Sequence, residues 1–219
     1  MTTLYLLRHA HSIANEKGIL AGRLEGVRLS DEGERQAREL AAYLAKIPLT
    51  HIYSSPLERC LQTVESFARR KKVRVVSEPG IQEMDYGKWS GEKLSSLSKK
   101  PLWRTIKKNP MRVRFPEGES FEEAAERLEK ALIRIAKKHP KKKVLLVTHG
   151  DIIKMAIQKT LQGDMNKFQR IVVDPASLTV LEWDSKNRFL VSANQKIVTQ
   201  RRKQKSLRKR ATLGGGSNV

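Results

Sequence analysis

Short apolar runs alternate with amphipathic stretches along most of the chain. Four of the runs have the length and composition of buried strands: residues 3–7, 51–54, 73–76 and 144–148. Apolar residues at helical spacing follow each run, either directly or after a loop. Strands that alternate with helices build a parallel sheet covered on both faces. We therefore expect an α/β fold, a three-layer sandwich with a mostly parallel central sheet flanked by helices.

Boundary residues support this order of elements. Ser30 and Ser120 are suited to helix N-caps, and Glu123 completes a capping box with Ser120. Pro56 fits the first turn of a further helix, which we expect to begin at Ser55-Pro56. The predicted apolar stripes are Ala37, Leu40, Ala41 and Leu44; Leu57, Leu61, Val64 and Ala68; and Phe121, Ala125, Leu128, Leu132 and Ile135. A fourth helix is expected over residues 151–161.

Three stretches depart from the alternation. Residues 10–28 are polar and contain glycine, which predicts a loop. Residues 77–119 hold four prolines, and we expect short helices and a lid-like insertion there. Residues 178–183 and 188–192 predict an antiparallel pair of strands.

The length and composition fit one folded domain with an appendage. The chain has 219 residues, of which 39% are hydrophobic, so it can build a core. Apolar periodicity stops near Gln195, and the residues beyond it are basic and then rich in glycine. We expect a domain over residues 1–194. The tail over residues 195–219 is expected to be disordered in isolation, because it cannot bury enough apolar surface to fold.

The charge is strongly positive, with a formal value of +21. Residues 196–219 hold eight basic residues and no acidic one, so +13 remains on the rest of the chain. This charge predicts attraction to polyanions, including a non-specific and salt-sensitive contact of the tail with nucleic acid. The tail has no aromatic residue for base stacking, and a purely solubilising role stays open.

The cysteine content and hydropathy bear on location. Cys60 is the single cysteine, so an intrachain disulfide is impossible, and we expect it to act as a small buried hydrophobe. No apolar run is long enough to span a bilayer, and the first run is too short for a signal peptide. We expect a cytoplasmic protein without a transmembrane segment.

Two histidines follow two of the predicted strands. His9 comes after the first strand, next to Arg8, and His149 comes after the fourth. Ligand sites of α/β sheets lie off the carboxyl ends of the strands, so the two rings can converge in one pocket. The adjacent guanidinium predicts that this pocket binds an anion, in particular a phosphoryl group.

These residues resemble the histidine phosphatase superfamily, also called phosphoglycerate mutase-like, over residues 4–193. Arg8-His9 is similar to its signature dipeptide, and Asn15 to an asparagine a few residues later. The other similar segments are, in chain order, residues 54–59, Glu83 with residues 86–91, residues 118–120 and residues 148–150. The resemblance implies a phosphoglycerate mutase-like domain over residues 1–194 and a small phosphorylated metabolite as substrate.

Two residues depart from the family pattern. Ala10 stands where the family usually has glycine, and His11 where it usually has glutamate or glutamine. Ala10 is compatible with the site if its φ is negative, because a positive φ favours glycine. Residues 22–30, which include Arg23, resemble their counterpart only loosely and are expected to contact substrate.

The resemblance implies three catalytic residues, His9, Glu83 and His149. An unprotonated nitrogen of His9 attacks phosphorus and forms a phosphohistidine, while its other ring nitrogen donates to a backbone carbonyl. Glu83 protonates the leaving alkoxide and later deprotonates water, which requires a raised pKa. Asp85 is the alternative acid.

We expect the remaining site residues to bind phosphate or substrate: Arg8, Asn15, Arg23, Arg59 and Gly150. The planar guanidinium groups of Arg8 and Arg59 match phosphate oxygens. No metal or other cofactor is required, because arginines can stabilise the charge. Arg112 and Arg114 either bind a second anionic group of the substrate or form a solvated basic loop.

These features favour a metal-independent phosphatase, with other interpretations kept open. The run after Gly91 is short and lacks the insertion of the mutase branch, so hydrolysis is favoured over mutase-type phosphoryl transfer. A basic polyanion-binding or nucleic-acid-binding module with vestigial catalysis is the alternative from another class. The spacing of His9 and His11 also permits a metal site, but no carboxylate cluster supports one.

Overall fold

In the computed structural model, which describes residues 1–184 and 186–197, six strands form one sheet. They are β1 (Thr2–Arg8), β2 (His51–Ser54), β3 (Val75–Ser77), β4 (Lys143–Thr148), β5 (Ser177–Trp183) and β6 (Arg188–Lys196). Their order is β3-β2-β4-β1-β5-β6. The first four strands in this order are parallel, and β5 and β6 are antiparallel. The mostly parallel sheet and the antiparallel pair are both confirmed.

The helices in the described residues are α1 (Ile13–Glu16), α2 (Asp31–Leu44), α3 (Glu58–Lys71), α4 (Leu94–Leu97), α5 (Pro101–Lys108), α6 (Phe121–Lys138) and α7 (Gly150–Thr160). Short 3₁₀ segments cover Pro79–Ile81, Gly87–Trp89, Pro110–Arg112 and Met165–Arg170. The predicted caps are confirmed, since the Ser30 hydroxyl accepts from the Gly33 amide and Ser120 forms a capping box with Glu123. Both caps satisfy amides that a helix N-terminus leaves unpaired.

Two apolar cores lie on opposite faces of the sheet. Leu4 and Leu6 of β1 belong to a core shared with α6 and α7, whereas Leu7 belongs to a core shared with α2 and α3. Successive side chains of a strand point to opposite faces, so one strand serves both cores. The result is the expected three-layer sandwich.

The start of α3 differs from the prediction. Leu57 is its N-cap, so Pro56 lies outside the helix, and Leu61 of the predicted stripe is 40% exposed. The buried face carries the polar residues Arg59 and Thr63 together with apolar ones. Leu57, Val64 and Ala68 of the predicted stripe are buried, as expected, and Leu61 is the one residue of the stripe that is not. Part of the buried face is polar because it serves the site described below.

Smaller differences concern element ends. The predicted loop over residues 10–28 contains α1, and β3 begins two residues later than expected. Strand β6 continues to Lys196, two residues beyond the predicted end of the domain. The predicted tail lies outside the described residues from position 198 onward, and its properties stay predictions.

The segment over residues 77–119 contains short helices, as expected. Trp89 packs against both Trp103 and Phe115, and the three rings join this segment to the core shared with α6 and α7. Within residues 1–184 and 186–197, no helix has both the length and the apolar character needed to cross a membrane.

Candidate active site

The candidate site lies at the carboxyl ends of β1 and β4. These strands pair in parallel with Arg8 opposite Thr148, so the residues that follow them, His9 and His149, are neighbours. Their ring centroids are 5.3 Å apart. Arg59 from the first turn of α3 reaches the same point, with its Nη2 3.4 Å from Nδ1 of His149. The structure thus brings the two predicted histidines and this arginine together.

His9 is buried and held in one tautomer. Its Nδ1 is 2.7 Å from the Ala10 carbonyl oxygen. A carbonyl only accepts, so Nδ1 carries the proton and Nε2 carries the lone pair. Burial, followed by the positive charges of Arg59 and Arg8, holds the pKa of His9 well below its usual value. The ring is therefore a neutral imidazole with the protonation pattern of a nucleophile.

Ala10 and His11 fit the site without strain. Ala10 is not among the described residues with a positive φ, so the condition for an alanine at this position is met. Its amide donates to the Thr63 hydroxyl at 2.9 Å. The His11 Nδ1 lies 2.8 Å from the Ser30 hydroxyl, so this ring binds the N-cap of α2 rather than sharing a partner with His9. Among the residues that the structure describes, no group of three or more histidines, cysteines or acids could hold a metal.

Two buried guanidinium groups flank the histidines. The Arg8 Nη1 donates to the Val173 carbonyl at 2.7 Å, and the Arg59 Nη2 donates to the Gly22 carbonyl at 2.8 Å. The Nη1 of Arg59 is buried and has no hydrogen-bond partner among the described residues. Buried donors are normally paired, so this N–H group is a ready donor for an anion.

His149 is enclosed on all sides. Its Nε2 lies 2.8 Å from the Ser55 hydroxyl and 3.4 Å from Sγ of Cys60, and its Nδ1 lies 3.9 Å from the Glu83 carboxylate. Burial raises the pKa of Cys60 to about 12, so the thiol stays protonated, in line with its expected inert character. Gly150 is the first residue of α7, so the partial positive charge of a helix N-terminus also lies at the site.

Glu83 has the properties of an acid that titrates near neutrality. Its side chain is buried, and burial, followed by the negative charge of Asp151, raises its pKa to about 7. The alternative acid, Asp85, has a side chain that is 38% exposed and accepts from the Gly87 amide at 3.0 Å. Glu83 contacts His149, whereas Asp85 binds the Gly87 amide and Arg23, so the geometry favours Glu83.

Asn15 and Arg23 are engaged by other parts of the protein. The Asn15 Oδ1 accepts from the Ser12 amide at 3.0 Å and from its hydroxyl at 2.9 Å, which closes the capping box of α1. The Arg23 Nε donates to the Glu83 carbonyl at 3.0 Å, and its Nη2 pairs with Glu119. Their contacts with phosphate or substrate stay predictions.

A buried polar network, which was not predicted from the sequence, lies below the site. The Tyr86 hydroxyl donates to Asp151 at 2.9 Å, and Lys154 lies 3.0 Å from both Asp151 and the Gln169 side-chain oxygen. Asp151 and Lys154 are three residues apart on α7, in a stretch whose other residues, from Ile152 to Ile157, are buried and apolar. A charged pair at this spacing in an apolar stretch was the available signal.

Comparison with known proteins places the chain in a family. A family model described as histidine phosphatase superfamily (branch 1) matches residues 4–196. Phosphoserine phosphatase 1 of Hydrogenobacter thermophilus is 32% identical over 196 residues, which cover 89% of this chain and 92% of that protein. A probable phosphoglycerate mutase GpmB of Erwinia tasmaniensis is 28% identical over 181 residues, 82% of this chain and 84% of that protein.

Solved structures share the fold. Bacillus stearothermophilus YhfR matches with a TM-score of 0.83 and 23% identity, over 90% of this chain and 98% of that one. A phosphoserine phosphatase from Entamoeba histolytica, in complex with 3-phosphoglyceric acid, matches with a TM-score of 0.81 and 24% identity, over 90% and 98% of the two chains. Since the family model covers nearly all of the described residues, the chain belongs to the histidine phosphatase superfamily and is a phosphatase.

Proposed function

We propose that this phosphatase hydrolyses a small phosphomonoester through a phosphohistidine on His9, without a metal ion. The observation that carries the proposal is the fixed tautomer of His9. Donation from Nδ1 to the Ala10 carbonyl leaves the lone pair on Nε2, in a ring that burial keeps neutral. A neutral imidazole beside guanidinium groups can attack a phosphoryl group whose charge those groups offset.

The two chemical steps balance with the groups present. The His9 Nε2 forms a bond to phosphorus while the ester P–O bond breaks, and Glu83 gives its proton to the leaving oxygen. The Glu83 carboxylate then takes a proton from water as the water oxygen attacks phosphorus. The P–N bond breaks, phosphate leaves and His9 returns to its neutral form. A pKa of about 7 suits Glu83 to both proton transfers.

The charge stabilisation comes from protein side chains. Arg8 and Arg59 supply permanent positive charge, and the unpaired Nη1 of Arg59 supplies a further hydrogen bond. These groups can stabilise the negative charge that a metal ion stabilises in other phosphoryl-transfer sites. We therefore propose a metal-independent reaction.

The similar proteins narrow the substrate class. One is named phosphoserine phosphatase, another is solved with 3-phosphoglyceric acid, and a third is a mycobacterial glucosyl-3-phosphoglycerate phosphatase. We propose a small phosphorylated metabolite, with phosphoserine and phosphoglycerate derivatives as the first candidates. Transfer of the phosphoryl group to a second hydroxyl is the other candidate reaction, and the similarity to a probable phosphoglycerate mutase favours testing it.

The test uses p-nitrophenyl phosphate in the presence of a chelator. We expect turnover that His9→Ala lowers by about 10⁴-fold or more, as nucleophile deletions generally do. His11→Ala is the matched control, because the His11 ring binds Ser30, and it should keep most of the activity. Full activity in His9→Ala contradicts the phosphohistidine, and loss of wild-type activity with the chelator contradicts metal independence. Release of free phosphate from phosphoserine, rather than an isomerised ester, distinguishes hydrolysis from transfer.

A further inference from the structure

We propose that Arg127 is a positioning residue, which holds the main chain around Glu83 so that the Glu83 carboxyl faces His149. Arg127 lies on α6 and touches no reacting atom. The inference rests on the proposed function, since it assigns Arg127 an effect that acts through the acid Glu83.

One guanidinium group spans most of the loop before the acid. The Arg127 Nη1 donates to the carbonyls of Gly80 at 3.1 Å and Gln82 at 2.8 Å, and its Nη2 donates to the carbonyl of Glu83 itself at 3.0 Å. Residues 82 and 83 follow a single 3₁₀ turn and belong to no strand, so no ladder satisfies these carbonyls. Arg127 therefore supplies the hydrogen bonds that fix the course of the loop.

The loop also packs directly on α6. A Cβ atom placed on Gly80 would lie 2.6 Å from Cβ of Ala131, one helical turn beyond Arg127. Contact at this distance requires glycine, and it brings the loop carbonyls within reach of the guanidinium group. Packing and hydrogen bonding thus place the loop against the same face of α6.

The contacts continue from the acid to the phosphate-binding residues. Glu119 accepts from the Arg127 Nε at 2.9 Å and pairs with Arg23. Arg23 also donates to the Glu83 carbonyl, which therefore accepts from two guanidinium groups. The next residue before Arg23, Gly22, accepts from Arg59. These hydrogen bonds, together with the peptide bond between Gly22 and Arg23, connect the acid to an arginine expected to hold phosphate.

A lysine at position 127 cannot form these contacts. The five N–H donors of arginine lie in a rigid plane, whereas an ammonium group is a single point on a flexible chain. Arg127→Lys keeps the charge but loses the simultaneous contacts with three carbonyls and Glu119. We expect the Glu83 carboxyl to lose its fixed position, while His9 and Arg59 keep theirs.

The experiment compares two substrates that differ in their need for an acid. Glycerol phosphate has a poor leaving group and p-nitrophenyl phosphate a good one. We expect Arg127→Lys to lower kcat for glycerol phosphate by about 10–100-fold and kcat for p-nitrophenyl phosphate by no more than about threefold. In a Glu83→Gln background, Arg127→Lys should lower kcat for glycerol phosphate little further, because the effects of substitutions at residues that act through one another are not additive.

Arg134→Lys is the matched control. Arg134 lies on the same helix and pairs with Glu78, whose carboxylate also accepts from the Gly80 amide. In the part of the chain that the structure describes, it forms no ion pair or hydrogen bond with Glu83. Arg134→Lys should leave unchanged the ratio of kcat for glycerol phosphate to kcat for p-nitrophenyl phosphate. If Arg127→Lys does not fold, Glu119→Gln tests the same link and should show the same preference for the good leaving group.

The outcomes separate the two proposals. Equal slowing of both substrates by Arg127→Lys, or full additivity with Glu83→Gln, would show a merely structural role and overturn the inference. A failure of the wild type to hydrolyse either substrate would contradict the proposed function itself, and the positioning role with it.

Discussion

The buried site and the segment over residues 93–116 use positive charge in opposite ways. At the site, Arg8, Arg59 and Arg127 are buried or half-buried, and each donates to main-chain carbonyls. The segment over residues 93–116 holds eight basic residues and no acidic one, which is more than half of the +13 that lies outside residues 196–219. Six of the eight are exposed and form no ion pair with the described residues: Lys93, Lys99, Arg104, Lys107, Lys108 and Arg112.

Burial determines how each kind of cation can act. A buried cation acts over a short range and with fixed geometry, because low polarity strengthens its field and the carbonyls orient it. An exposed cation acts over a longer range but is screened by salt. The start of this segment is hydrogen-bonded to the loop that contains Gly18 and Gly22, since the Leu94 amide donates to the Gly18 carbonyl at 2.9 Å. The same loop reaches the site, where the Gly22 carbonyl accepts from Arg59. We therefore expect large, local effects from changes in the site and small, salt-dependent effects from changes in this segment.

After the loss expected for His9→Ala, the largest effect should come from the acid. Glu83→Gln removes a proton donor while keeping its shape, and we expect kcat for glycerol phosphate to fall by about 10²–10⁴-fold, with a much smaller fall for p-nitrophenyl phosphate. Asp85→Asn is the control, since Asp85 is more exposed and hydrogen-bonded to Gly87. If Glu83→Gln slows both esters equally and Asp85→Asn selectively slows hydrolysis of glycerol phosphate, the acid role belongs to Asp85.

An intermediate effect should come from Asp151, below the site. Its negative charge is the second cause, after burial, of the raised pKa of Glu83, so Asp151→Asn should lower that pKa. Glu83 is an acid only while protonated, so the rate for glycerol phosphate should begin to fall at a lower pH than in the wild type. At about pH 8 we expect a rate about tenfold below that of the wild type.

Tyr86→Phe serves as the control for Asp151→Asn. It removes the hydrogen bond to Asp151 but keeps the negative charge, so the pH profile should hardly move. A profile that moves to higher pH in Asp151→Asn would contradict the electrostatic explanation.

The smallest effect should come from the exposed segment. Arg104→Gln, Lys107→Gln and Lys108→Gln together should lower kcat/KM for an anionic ester by about threefold at low ionic strength, with kcat unchanged and the difference lost near about 0.5 M salt. The control replaces Lys137, Lys138 and Lys142, which are exposed just before β4, at the opposite end of the sheet from His149. Equal effects of both triple variants would show that only net charge matters.

Much of the fold followed from local patterns. The alternation of strands and helices, the caps at Ser30 and Ser120 and the histidines after β1 and β4 are all readable from neighbouring residues. The predicted start of α3 at Ser55-Pro56 was wrong, since Leu57 is the N-cap of this helix. Ser55 was assigned to a helix start, although it bonds His149, because the sequence around it is typical of a helix boundary.

The layers of the sheet and the candidate chemistry at its strand ends could be predicted from the residues alone, since both depend on periodicity and order along the chain. The tautomer of His9, the raised pKa of Glu83 and the carbonyl contacts of Arg127 could not. Each of these depends on burial and on distances between segments far apart in the chain. Arg127 lies 44 residues from Glu83, and no local pattern relates an arginine on one helix to the loop that folds against it.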